Sequence, residues 1–153
     1  MVNVLFVAYR GKKYDKCHLL SGKNALSRCI VYVRIFKNSW FTRFADKEGI
    51  TDGELVEAVK LLEAGLADAD LGGDVYKMRL ARPGEGKSGG YRVIVFFRSE
   101  ERTFYQYGFA KADRANISKK ELRDLKKRAK IALSLNDTQI RDRLRERTWI
   151  EVQ

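Results

Sequence analysis

The hydrophobic period changes several times along the chain, and each change marks an element. Val33-Arg34-Ile35-Phe36 alternates apolar and polar side chains as a short strand does. Asn38 or Ser39 then caps a helix carrying Trp40, Phe41 and Phe44 on one face, and Gly49 stops it. Thr51-Asp52-Gly53-Glu54 has capping-box spacing, in which hydroxyl and carboxylate satisfy free backbone amides reciprocally. Leu55, Val59, Leu62 and Leu66 follow at helical intervals and need a sheet to pack on. From Val75 to Lys111 the period falls to two and predicts three strands, Val75–Arg82, Tyr91–Arg98 and Arg102–Lys111. Ser99-Glu100-Glu101 is short enough for a hairpin, the glycine-rich stretch Pro83–Gly90 joins the first two strands, and such links imply antiparallel pairing. Ser118 and Glu121 form a second capping box, with Ile117 and Leu122 as its hydrophobic staple, opening a helix through about Leu133. A mostly charged helix after Asn136 carries Ile140 and Leu144, and Trp149-Ile150-Glu151-Val152 closes as a short strand.

The first 32 residues do not follow this grammar. Their apolar run, Val4-Leu5-Phe6-Val7-Ala8, is too short for a signal-peptide core, and six basic residues stand against Asp15 alone. They are read as an N-terminal extension, either a disordered arm or foreign to the natural product, ahead of a single domain over 33–153. Translation is then expected to start at Val33.

Length and composition fit one core. A chain of 153 residues with 44% apolar side chains, 11% aromatics and one proline is neither disordered nor collagen-like. No apolar run approaches the roughly 20 residues of a membrane-spanning helix, so no membrane partner is expected. Cys17 and Cys29 are too few for a disulfide framework and fit a reducing cytoplasm. With His18 they supply three ligands, without a fourth and without paired CxxC spacing, so neither a metal nor any other cofactor is expected.

Charge narrows the choice of partner. Lys and Arg number 31 against 20 Asp and Glu, a net charge of +11, and nucleic acid is the commonest acidic partner of a small basic domain. The charge is also segregated. Residues 46–74 hold nine acidic and two basic groups, whereas 77–98 hold Lys77, Arg79, Arg82, Lys87, Arg92 and Arg98 against Glu85 alone. The helical layer is therefore acidic, and the sheet with its loop forms the electropositive face.

Gly86-Lys87-Ser88 invites a phosphate-loop reading, but Ala81 occupies the first glycine position and a strand follows, so nucleotide hydrolysis fails on context. A basic, glycine-rich hairpin loop suited to a phosphate backbone survives. Strand alternation puts Lys77 and Arg79 on one wet face, opposite Tyr76, Met78 and Leu80. It groups Tyr105, Tyr107, Phe109 and Lys111 opposite Phe104, Gln106 and Gly108, with Phe104 and Phe109 expected in the core. If these faces coincide, cations and a phenol converge on one concavity able to bind RNA by charge and stacking. Carboxylates near it lie only in loops, at Glu85, Glu100 and Glu101, which is poor material for a metal-dependent nuclease. His18 is the only histidine, which excludes a two-histidine ribonuclease. Phosphodiester chemistry would run on Lys, Arg and Tyr. A base removes the proton of an RNA 2′-OH, guanidinium groups stabilise the charge that develops, and close cations favour the neutral, basic form of a lysine.

The run from Arg79 to Arg92 (Arg79-Leu80-Ala81-Arg82-Pro83-Gly84-Glu85-Gly86-Lys87-Ser88-Gly89-Gly90-Tyr91-Arg92), with Phe104-Tyr105-Gln106-Tyr107-Gly108-Phe109-Ala110-Lys111 and Arg114-Ala115-Asn116-Ile117, resembles the RelE/HigB-like toxins of bacterial type II toxin–antitoxin modules. The likeness covers about residues 33–133, including Trp40-Phe41 and Ala69-Asp70-Leu71-Gly72-Gly73. It implies a RelE-like α+β fold, with N-terminal helices and a C-terminal helix packed on a small twisted antiparallel sheet. It further implies cleavage of mRNA, usually on the ribosome, and neutralisation by a cognate antitoxin, expected to be a helix-turn-helix protein. Matching by position, Lys77, Arg79 and Arg82 would bind and polarise the RNA phosphate, and Arg92 would stabilise the transition state. Tyr107 would stack on a base or donate to the leaving oxygen, and Lys87, Lys111 and Arg114 would grip the RNA backbone. The same fold serves relatives that poison DNA gyrase, so a non-catalytic gyrase inhibitor and a basic RNA-binding module stand beside the nuclease reading.

Overall fold

A computed structural model describes residues 33–82, 89–99, 101–110 and 117–152. Strand β1 (Arg34–Asn38) leads directly into α1 (Ser39–Glu48) and α2 (Asp52–Glu63). The chain then runs through β2 (Ala69–Asp70), β3 (Val75–Leu80), β4 (Tyr91–Arg98) and β5 (Arg102–Ala110). It finishes with α3 (Lys119–Ser134), α4 (Asp137–Arg145) and β6 (Trp149–Glu151). One six-stranded sheet results, in the order β2-β3-β4-β5-β1-β6. The fold is α+β, as expected, and the sheet is antiparallel except where β1 runs parallel to β5. That pairing joins Arg34 to Arg102 and Phe36 to Phe104, segments far apart in sequence that no turn signal connects.

Local signals set the helix ends. The Asn38 side chain accepts from the Phe41 amide to cap α1, and Gly49 closes it in the left-handed conformation at φ 68°. Both predicted capping boxes form, Thr51 with Glu54 on α2 and Ser118 with Glu121 on α3, and Asn136 with Gln139 makes a third on α4. Helix α2 stops before Leu66, contrary to the expected stripe: Gly65 turns the chain at φ 74° and leaves Leu66 63% exposed. Helix α3 has no basic residue in its last turn, and two arginines of the β4–β5 hairpin bind its terminal carbonyls instead. Arg98 donates to the Leu133 oxygen and Arg102 to the Leu135 oxygen.

Helices cover the sheet on both faces. On one, α1 and α2 bury Phe41, Leu55, Val59 and Leu62 against Met78, Leu80, Tyr91, Val93, Val95 and Tyr105. On the other, α3 and α4 bury Ala129, Ala132, Leu133 and Ile140 against Phe36, Val75, Ile94, Phe96 and Phe104. Strand β4 lies between the layers with seven successive buried residues, which is why its sequence is almost continuously apolar. The face bearing Lys77 and Arg79 is therefore not wet along its whole length; the α3–α4 layer closes the end near Val75 and Phe96.

Candidate RNA-binding face of the sheet

Strand register decides which candidate side chains meet. On β3 and β4, Lys77 pairs with Ile94 and Arg79 with Arg92; on β4 and β5, Ile94 pairs with Tyr107 and Arg92 with Phe109. Paired residues point to the same side of a sheet. Two parallel rows thus cross it, Lys77–Ile94–Tyr107 and Arg79–Arg92–Phe109, and Ile94 and Phe109 belong to the cluster on the α3–α4 side. Three cations and a phenol share one patch: the Lys77–Arg79 face and the Tyr107 face coincide, a condition that alternation alone left open.

A bulge puts Tyr107 there. Between Ile94 and Val95 the register skips Gln106, so Tyr107 opposes Ile94 while Tyr105 opposes Val95. An extra residue reverses the alternation. Tyr105, expected beside Tyr107, instead lies under α2 and donates its hydroxyl to the Leu55 carbonyl at 2.7 Å. Phe104 and Phe109 are buried, as anticipated.

The cations of the patch are held unequally. Arg79 Nε lies 3.1 Å from Asp68, which anchors the side chain while half of it stays exposed. Arg92 sits directly opposite Arg79, an unfavourable cross-strand pair, and is only 8% exposed. Its Nη1 is closed off from solvent and has no hydrogen-bond partner. Lys77 is half-buried one row away.

Arg82 does not join them. Its guanidinium carbon lies 5.8 Å over the ring of Tyr91, which belongs to the core cluster under α1 and α2, on the opposite face. The Tyr91 hydroxyl donates to Glu48 at 2.6 Å. Burial, the Glu48 hydrogen bond and the Glu48 charge raise this phenol above its ordinary pKa, and Arg82 opposes them. Lys87, Lys111 and Arg114 lie outside the described residues.

One neighbour of the patch was given no role by the sequence. Trp40, which periodicity places only on a helix face, stacks on Tyr107 with ring centroids 4.4 Å apart and on Phe44 at 5.6 Å. A spatial neighbour contributed by another element leaves no mark in local spacing. Elsewhere, an open hollow of about 230 Å³ lies between α3, α4 and β6, lined among others by Phe96, Leu135, Arg143 and Trp149. None of the described candidate site residues lines it. Among the described residues, no three His, Cys, Asp or Glu side chains gather where a metal ion could be held, and no helix is long and apolar enough to cross a membrane.

Helices on both faces of a small mixed sheet, with cations and aromatics gathered at one uncovered end, define a RelE-like α+β domain. A family model described as the RelE toxin of the RelE/RelB toxin–antitoxin system matches residues 33–152, and the chain belongs to that toxin family. Membership implies a cognate antitoxin as partner.

Proposed function

We propose that this toxin is a metal-independent endoribonuclease that cleaves mRNA, with the ribosome as its platform, on the sheet face of Lys77, Arg79, Arg92 and Tyr107. The observation that carries the reading is the Arg79–Arg92 pair. Two guanidinium groups oppose each other across adjacent strands, and among the described residues only Arg79 has a carboxylate beside it, so the patch is short of negative charge. A phosphodiester supplies it. Such a constellation is costly to the fold and is useful where charge develops on a phosphoryl group.

In this reading Arg79 seats the scissile phosphate, and Lys77 takes the 2′-hydroxyl proton. The 2′ oxygen bonds to phosphorus and the bond from phosphorus to the 5′ oxygen breaks. The products are a 2′,3′-cyclic phosphate and a 5′-hydroxyl, with Tyr107 donating the proton to the leaving oxygen. Arg92 stabilises the pentacoordinate transition state. Arg82, at the strand end over Tyr91, grips the RNA flank together with Lys87, and Lys111 and Arg114 hold it after β5. A helix-turn-helix antitoxin in the cytoplasm offers acidic or apolar surface to the same face.

The test is brief expression in bacteria with mapping of new mRNA 5′ ends, alongside Arg92→Ala. New 5′-hydroxyl ends within translated regions, absent in the variant, are expected. Growth arrest without new ends overturns the nuclease reading and moves gyrase inhibition forward. Intact RNA bound in a steeply salt-dependent manner would indicate a binding module instead.

A further inference from the structure

Among the described residues five large apolar side chains are exposed, Trp40, Leu61, Leu66, Ile131 and Ile150, and only Trp40 is aromatic. It is also the one that touches the candidate site. Helix α1 turns Phe41 and Ala45 into the core and leaves Trp40 at its first turn, 40% exposed. The indole is not loose, because Tyr107 and Phe44 both stack on it. An exposed ring braced by two neighbours has little rotamer freedom to lose on binding.

We propose that Trp40 is a base-stacking platform of the RNA site and favours a purine beside the scissile phosphate; the proposal rests on the sheet face being the RNA site. Lys77 and Tyr107 lie on strands separated by one other, a span of roughly 10 Å. A phosphate seated by the cations therefore has its adjacent base over the aromatic edge. One face of Tyr107 is already occupied by the indole, so Trp40 extends the surface that Tyr107 alone would offer. Stacking on a flat side chain tolerates every base and prefers those with the larger π surface, which gives a purine the advantage without any hydrogen-bond code. Positioning is built into the fold: Asn38 caps α1 and also binds the bulged Gln106, fixing the indole against the residue that follows the bulge.

The chain has two tryptophans, so Trp149→Phe leaves Trp40 as the sole reporter. The probes are 2′-O-methyl oligoadenylate and oligouridylate, which cannot be cleaved by 2′-hydroxyl attack. The full-length protein is expected to show saturable quenching of Trp40 fluorescence, with tighter binding of the adenylate. Trp40→Ala weakens adenylate binding roughly 5- to 100-fold, and Trp40→Phe recovers part of it. In the 5′-end mapping, Trp40→Phe blunts any purine preference while cutting continues. Binding without quenching overturns the proposal, as does a folded Trp40→Ala protein with unchanged affinity and unchanged cleavage sites. Quenching by bound RNA with no new 5′ ends in cells retains the platform and removes the nuclease reading. New ends with an indole-independent pattern do the reverse.

Discussion

Asn38 Nδ2 donates to the backbone carbonyl of Gln106 at 3.0 Å, and the same side chain's oxygen accepts from the Phe41 amide at 2.7 Å. One amide thus starts α1 and ties it to the residue skipped in the register of β5 and β4. The bulge turns Tyr107 towards the cations, and the cap brings Trp40 onto Tyr107. Asn38→Asp keeps the acceptor and loses the donor; Asn38→Ala loses both. The alanine variant should lose about 1–3 kcal/mol of stability, the cap and the bulge contact together, and the aspartate variant less. Both should lose near-ultraviolet dichroism from the Trp40–Tyr107 stack. Urea unfolding with near-ultraviolet spectra checks this, and an unchanged aromatic signal in Asn38→Asp would show that the bulge contact does not hold the stack.

Much of this was legible in the sequence because it is local. Capping boxes at Thr51 and Ser118, the Gly49 stop and the short β4–β5 link all act within a few residues, and each formed as read. The grouping of Lys77 with Arg79 on one face followed from a period of two. What escaped was non-local or off-period. The bulge at Gln106 sent Tyr105 to the opposite face, and β1 found β5 across most of the domain. Arg82 continued past the regular strand onto Tyr91. Trp40 reached the patch from another element, where side-chain spacing carries no information.

Gly90 and Gly108 make a paired test of close approach. A Cβ on Gly108 would lie 2.3 Å from Phe44 Cε1, whereas one on Gly90 would lie 2.1 Å from the Leu80 carbonyl oxygen. A ring can shift, but paired backbone cannot. Gly108→Ala should cost about 1–3 kcal/mol, and Gly90→Ala at least the upper end of that range. Adding Phe44→Ala should relieve the first clash and leave the second untouched. A double-mutant cycle in urea measures the coupling, and equal coupling at both glycines would contradict the geometry.

Tyr91 sets the alkaline behaviour. Burial and the Glu48 carboxylate hold its folded-state pKa above 10.0, and burial with Asp70 and Asp74 raises Tyr76 likewise. A raised pKa means that the folded protein retains a proton that the unfolded chain releases. Stability from these phenols is therefore complete below about pH 10 and falls as pH rises through the raised values. Tyr91→Phe should be less stable at neutral pH, by about 1.5–3 kcal/mol for a hydrogen bond to a charged acceptor. It should then lose stability less steeply as pH rises above about 10. Urea midpoints across that range decide it, and parallel slopes for the two proteins would refute the assignment.

Arg92 should separate stability from activity. Its Nη1 is buried without an acceptor and its strand neighbour is Arg79, so the folded state carries both an unmet donor and a like-charge contact. An unmet buried donor costs about 1–3 kcal/mol. Arg92→Met keeps much of the side-chain length and apolar stem while removing both penalties, so the variant is expected to unfold at the same or higher urea concentration than the native protein. The same change removes the group assigned to transition-state charge, where losing one such donor typically costs on the order of 100- to 1,000-fold in rate. Toxicity and new 5′ ends should therefore vanish from a protein that has become no less stable. Arg79→Met, by contrast, breaks an ion pair with Asp68 and should gain no stability. A marked loss of stability in Arg92→Met would mean that the guanidinium is a structural support, and unchanged cleavage would mean that the buried charge serves no chemistry on RNA.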